Sequence, residues 1–302
     1  MPSPVFGWIE LGGWLEPSVS NAIFLLWFRT LVMAMLLSAI APRLYSPVFS
    51  ELRQLWQHRT MLAWAALSGL FLAISLSLLN LAISRMETGI AIGVFFTHSA
   101  WTVLLTWVVW GDRPSRTHLW IMGMIMIGVL LTTVSLSQTA SMPSIEGSVA
   151  AISAAWVYAS YNLTAQICLK PHPTQTLHRP MHPITFSLLS FWMVVLITSL
   201  SLFNTSILQL PRTSTEPLLI AGLWAAFISL LAYVLLNIGV SRVGAALTSL
   251  ISALTPILSV LFAWVALNEF LQNQQILGVI LVAIGIASLG VSMHQESAPT
   301  KR

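Results

Sequence analysis

Apolar residues arrive along this chain in blocks of roughly 20, separated by short polar breaks. That length lets a helix cross about 30 Å of hydrocarbon. The pattern predicts nine spans at 19–41, 61–82, 89–111, 119–138, 148–169, 184–204, 218–240, 245–268 and 274–293. Prolines mark the breaks at Pro42, Pro114, Pro143, the Pro171–Pro183 stretch, Pro211 and Pro217. The expected class is an all-α, polytopic helical membrane protein. No loop has the length or the apolar pattern of a soluble domain.

Composition agrees. The 302 residues are 57% hydrophobic and only 7% charged, against about a quarter charged in soluble domains. An ordinary soluble enzyme and a disordered chain are excluded. The net charge of +4 does not indicate nucleic acid, because the cations sit in short loops between apolar runs. Ten of the 13 Lys and Arg residues fall in one alternating set of loops and two, Arg85 and Arg212, in the other. This bias predicts a cytoplasmic C-terminus, with residues 1–18 starting on the opposite side. The single Cys168 allows no intrachain disulfide.

The chain also matches itself at an offset of 157 residues. Leu78-Leu79-Asn80 with Ser84-Arg85 aligns with Leu235-Leu236-Asn237 with Ser241-Arg242. Without a gap, Val103, Leu104, Trp107 and Val108 then meet Val260, Leu261, Trp264 and Val265. Asp112 meets Glu269, and Ile127-Gly128 meets Ile284-Gly285. An odd number of crossings separates Arg85 from Arg242, so the halves are predicted to have opposite orientation. Inverted repeats of this kind are common in secondary transporters, with the substrate near the midplane. The first repeat is expected over 1–138 with four spans and the second over 148–293 with five. The span 148–169 has no counterpart in the first.

Thr255-Pro256, Trp264 followed by Glu269, and Gly278 and Gly285 give residues 245–286 a resemblance to the closing signature of EamA-like permeases. These permeases belong to the drug/metabolite transporter superfamily. The segment 21–40 with Arg29 resembles that family's second helix, and the likeness covers nearly the whole chain. It implies a bundle of two inverted five-helix halves that moves small metabolites, here without a first helix. It also implies export or exchange by alternating access. The first half departs from the second by carrying Ser99 where the second has Pro256.

Candidate substrate-path residues follow from intramembrane polarity and helical spacing. Thr248, Ser252, Thr255 and Ser259 step by four, three and four, one face of a helix. The offset maps them onto Ala91, Phe95, His98 and Thr102. Cavity walls and ordinary helix packing both fit such faces. Pro256 removes an N–H and frees the Ser252 carbonyl, which suits a bend beside a site or a structural kink. His98 and Arg29 are the ionisable residues expected inside spans. His98 could couple protons or bond to a neighbouring helix as a neutral imidazole. Arg29 could meet an anionic group or tie down helix-end carbonyls. Tyr158, Tyr161 and Asn162 share a helical face with Ala150, Ala151, Ala154 and Ala165, and mid-span Trp101 and Trp156 could border an aromatic or amphipathic solute. Asn80 and Asn237, with Asp112 and Glu269, are expected at gates or helix contacts.

Catalytic residues, a metal site and a cofactor are not expected. The connector with His172, His178 and His182 is interrupted by prolines, against a helical histidine pair. The expected partners are a small-molecule substrate and the lipid bilayer, with a second copy of the chain as a candidate. A truncated, non-transporting structural or regulatory protein and a membrane-embedded enzyme are the competing classes, the latter without a reactive constellation.

Overall fold

The computed structural model describes residues 19–86, 88–111, 113–133, 144–170, 180–204, 215–258 and 273–297. These residues form an all-helical bundle. In chain order the helices are α1 (Val19–Leu44), α2 (Val48–Leu55), α3 (Arg59–Arg85), α4 (Thr88–Phe95), α5 (His98–Trp110) and α6 (Arg116–Thr133). They continue as α7 (Ile145–Leu169), α8 (Pro183–Asn204), α9 (Thr215–Val243), α10 (Ala245–Ser252) and α11 (Asn273–Ser297). Among the described residues, five stretches are long and apolar enough to cross a membrane: Ile23–Leu44, Arg59–Arg85, Ile90–Trp110, Pro183–Leu202 and Gly222–Val243.

The helix ends follow from local chemistry. Ser144 caps α7 by accepting from the Gly147 N–H at 3.0 Å. Gly111 closes α5 in the left-handed region (φ 77°), its N–H donating to the Trp107 carbonyl. Apolar residues cover much of the outer surface, among them Trp120, Leu231 and Leu235, as expected where lipid replaces water.

Two features differ from the sequence expectation. The loop after the first span contains α2, whose Val48 and Leu55 are buried while Phe49, and Trp56 just past its end, are exposed. Eight residues are too few for a span-length pattern to register. The spans expected at 89–111 and 245–268 are also not continuous helices, being interrupted at Phe96 and Thr97, between α4 and α5, and at 253–254, after α10.

The 157-residue offset is written into the geometry. α4 ends at Phe95 and α10 at Ser252, so this boundary repeats at the offset. α6 and α11 pack together reciprocally. A Cβ on Gly128 would lie 2.5 Å from Val282, and one on Gly285 would lie 2.6 Å from Ile125. Gly128 corresponds to Gly285 and Ile125 to Val282, so the two contacts exchange under the repeat, as in an isologous interface. Position 128 meets 282 while 125 meets 285, so the two helices run antiparallel.

The ends of α7 fix two levels in the bundle. At its start Glu146 pairs with Arg85 at 2.9 Å, and the Ser144 hydroxyl donates to the Arg85 carbonyl. Beyond its last residue, the Lys170 ammonium donates to the Arg242 carbonyl at 3.0 Å. The Gln166 side chain accepts from the Ala245 N–H at that same end. Glu51 on α2 also lies at the Arg242 end, where its carboxylate accepts from the His182 N–H and the Thr185 hydroxyl at the start of α8.

Candidate substrate site

The centre of the bundle is built around α7 and the interruption between α4 and α5. Alanines at 150, 151, 154, 155, 159 and 165 are buried, and such small residues let neighbouring helices approach closely. The Ser75 hydroxyl of α3 reaches the Ala154 carbonyl at 2.9 Å. That close approach brings the larger side chains of α7 into the middle. Tyr158 lies 5.1 Å from Phe95 and 4.6 Å from His98, ring centre to ring centre. Tyr161 is 5.4 Å from Tyr158.

Polar groups are tied across this cluster. The Tyr161 hydroxyl donates to Asn237 Oδ1 at 3.0 Å, and Asn237 Nδ2 donates to the Ser187 hydroxyl at 2.8 Å. Three helices, α7, α9 and α8, are thereby joined. Asn162 Nδ2 donates to Thr102 Oγ1 at 3.2 Å, and Thr102 itself donates to the His98 carbonyl. The Tyr233 hydroxyl interacts with that of Tyr158 and lies within electrostatic range of Arg29. Two buried nitrogens, His98 Nδ1 and Arg29 Nε, have no hydrogen-bond partner.

The helix interruptions recur. In the first half, Thr97 N–H donates to the Val94 carbonyl at 3.1 Å; in the second, Leu254 N–H donates to Ile251 at 3.0 Å. Helical bonding then resumes with Trp101 to Thr97 and Leu258 to Leu254. Every one of these residues maps onto its partner at the 157 offset. The first-half break forms without a proline, with Ser99 at the place of Pro256. The Ser99 hydroxyl instead donates to the Ser249 carbonyl on α10 at 2.8 Å, joining the two broken helices.

The structure gathers Phe95, His98, Thr102, Tyr158, Tyr161, Asn162 and Asn237 together, with Arg29 at their edge. Trp101 is half-buried on α5. Trp156 does not join the cluster: it is 50% exposed, on the stripe with Ile145, Val149 and Ile152 opposite the buried alanines. The proposed four-residue face of the second half is also not continuous. Thr248 is buried, Ser252 half-buried and Thr255 exposed, because the turn at 253–254 interrupts the helical register. Pro256 is buried just after that turn. Asn80, the repeat counterpart of Asn237, is half-buried. Ser259, Asp112 and Glu269 lie outside the described residues, as does the connector at 171–179 with His172 and His178.

Sequence spacing does not single out Tyr233 and Ser187. Tyr233 stands four residues before Asn237, one turn along α9, which is the signal that could have found it. Ser187 carries no such signal. Among the described residues no group of three His, Cys, Asp or Glu side chains could hold a metal ion. A separate cavity of about 710 Å³ at the Arg242 end is lined by Tyr45, Glu51, His58, Met61 and Met181, among others.

Comparison with known proteins agrees with this architecture. The chain is 33% identical over 291 residues to an uncharacterized transporter of Synechocystis sp., covering 94% of this chain and 84% of that protein. A solved crystal structure at 18% identity superposes with a TM-score of 0.68, covering 92% of this chain and 90% of the other, and shares its fold. The profile of the EamA-like transporter family matches twice, at residues 16–134 and 145–291. This chain belongs to the EamA-like transporter family.

Proposed function

We propose that the protein carries a small metabolite or amphipathic solute across the cell membrane by alternating access between two inverted halves. The observation that carries this reading is the pair of repeat-related helix interruptions at 96–97 and 253–254, the first of which borders the cluster of Phe95, His98 and Tyr158. Broken helices at mid-depth are how transporters expose backbone groups to a substrate without exposing them to lipid. The Ser99–Ser249 bond couples the two interruptions, so a shift of one half is felt at the other. In this reading the C-terminus is cytoplasmic, the net direction is export or exchange, and the protein is not an enzyme. Phe95, His98, Thr102, Tyr158 and Asn162 face the solute, while Asn237 holds α7, α8 and α9 in register.

Counterflow tests this directly. The purified protein is reconstituted in vesicles preloaded with a broad metabolite panel, and entry of labelled solutes is followed. Exchange above that of protein-free vesicles is expected for at least one solute class, with a loss of tenfold or more in Tyr158→Ala. No exchange across the panel would favour a structural or regulatory role.

A further inference from the structure

We infer that the transported solute bears an anionic group, a carboxylate or a phosphate, received by the Arg29 guanidinium at mid-depth, with its apolar or aromatic body against Phe95 and Tyr158. This deepens the transport reading above and rests on it.

Arg29 follows Leu26 by three residues and precedes Met33 by four, and both neighbours are 2% exposed. It therefore belongs to the inward face of α1. Ten residues from Val19 place it about 15 Å along the helix, within the hydrocarbon depth. Its Nε is buried without a hydrogen-bond partner, although the residue as a whole keeps part of its surface open. A guanidinium stays charged at any physiological pH, and an uncompensated charge at this depth is expensive.

Among the described residues no acidic side chain pairs with Arg29. Among the described residues the ion pair formed is Arg85 with Glu146, at one end of α7. The described acids are Glu51, Glu146, Glu216 and Glu296, each on α2 or near a helix end. The Tyr233 phenol lies within electrostatic range of Arg29 and is hydrogen-bonded to that of Tyr158; both are neutral donors that suit an anion's oxygens and cannot themselves balance the charge. Beyond Tyr158 the cluster is aromatic, with the Phe95 and His98 rings packed on it. A cation, then hydroxyl donors, then rings matches a solute with an anionic head and an apolar body. Arg presents paired N–H groups that fit either a carboxylate or a phosphate.

The test sorts the counterflow panel into carboxylates, phosphate monoesters, neutral solutes and cations, using the full chain in vesicles. The expected result is exchange of carboxylates or phosphate monoesters, at least tenfold above neutral and cationic solutes. Which anion class is exchanged distinguishes the two head groups. Arg29→Gln should raise the half-saturating concentration of the preferred anion tenfold or more, and Arg29→Lys should recover part of it. Tyr158→Phe, which keeps the ring and removes one hydroxyl, should weaken it several-fold. Preferential exchange of neutral or cationic solutes by the unmodified protein would overturn the inference while leaving transport standing. An Arg29→Gln protein with unchanged half-saturation would do the same. Absence of any exchange would overturn both.

Discussion

Arg85 and Arg242, equivalent residues of the two repeats, are held at opposite ends of one helix. Arg85 pairs with Glu146 at the start of α7, and the Arg242 carbonyl receives Lys170 beyond its end. The 24 residue steps from Glu146 to Lys170 span about 36 Å of helix. Equivalent residues separated by a membrane's thickness belong to halves related by a flip. Their neighbours repeat as well: Ser84 bonds back to the Leu81 carbonyl and Ser241 to Ile238, both at 2.7 Å.

This geometry predicts opposite accessibility. The single native cysteine, Cys168, is buried, so a Cys168→Ser background leaves only introduced thiols. Arg85→Cys should react with a membrane-impermeant maleimide in intact cells, and Arg242→Cys only after permeabilisation. Labelling of both from one side would contradict the inversion.

The reciprocal contact between α6 and α11 predicts an asymmetric response to alanine. At Gly128 a Cβ would lie 2.8 Å from the Gly278 carbonyl oxygen as well as 2.5 Å from Val282, and backbone cannot move aside. Gly128→Ala should cost about 1–3 kcal/mol by overpacking. At Gly285 the close neighbour is Cγ1 of the Ile125 side chain, so Gly285→Ala should cost less and be relieved by Ile125→Ala, which removes that atom. Gly123, with nothing within 4 Å, should gain up to about 1 kcal/mol as alanine. Thermal unfolding in detergent reads all three.

How far the sequence reveals this protein depends on which physical signal each feature leaves. Spans are legible because lipid imposes a length and a polarity. The α4 and α10 ends fall at the offset that Asn80 and Asn237 disclose. The break at Phe96 and Thr97 was hidden, since no proline marks it and Ser99 supplies a bond to a distant carbonyl instead. α2 was hidden by its shortness. In the site, Tyr158, Tyr161 and His98 were legible as polar or ionisable residues in apolar spans. Trp156 lies off the cluster: mid-span depth does not say which side of a helix faces lipid, whereas the buried alanine stripe of α7 does. Ser187 was invisible, because its role depends on the packing of α8 against α9.

The Asn237 network predicts coupled rather than additive losses. Tyr161→Phe removes one donor and should cost about 0.6–1 kcal/mol, the usual scale for interhelical bonds in membranes. Asn237→Ala removes both bonds and leaves two hydroxyls to find new partners, costing about 1–3 kcal/mol. If the bond is the link, the double variant should be less destabilised than the sum of the two. Strict additivity in equilibrium unfolding would show that Tyr161 and Asn237 act separately.

The junction of α2 with α8 predicts a pH dependence of stability. His182 stacks on Tyr45 at 3.8 Å, and its Nδ1 accepts from the Ile184 N–H at 3.3 Å, which requires an unprotonated nitrogen. Partial burial holds its pKa below the ordinary value of 6.5, while the nearby Glu51 carboxylate opposes that shift. The unfolded chain therefore binds the proton more readily than the folded one. The stabilisation is fully present above pH 6.5 and is lost as pH falls through the lower folded value. The unfolding temperature should accordingly drop on acidification from pH 7 to below 6, and His182→Asn should flatten that drop. Glu51→Gln removes the opposing carboxylate, so it should move the decline to lower pH and weaken the tie to α8 at neutral pH. An unfolding temperature in His182→Asn that follows the same pH curve as the unmodified protein would locate the titrating group elsewhere.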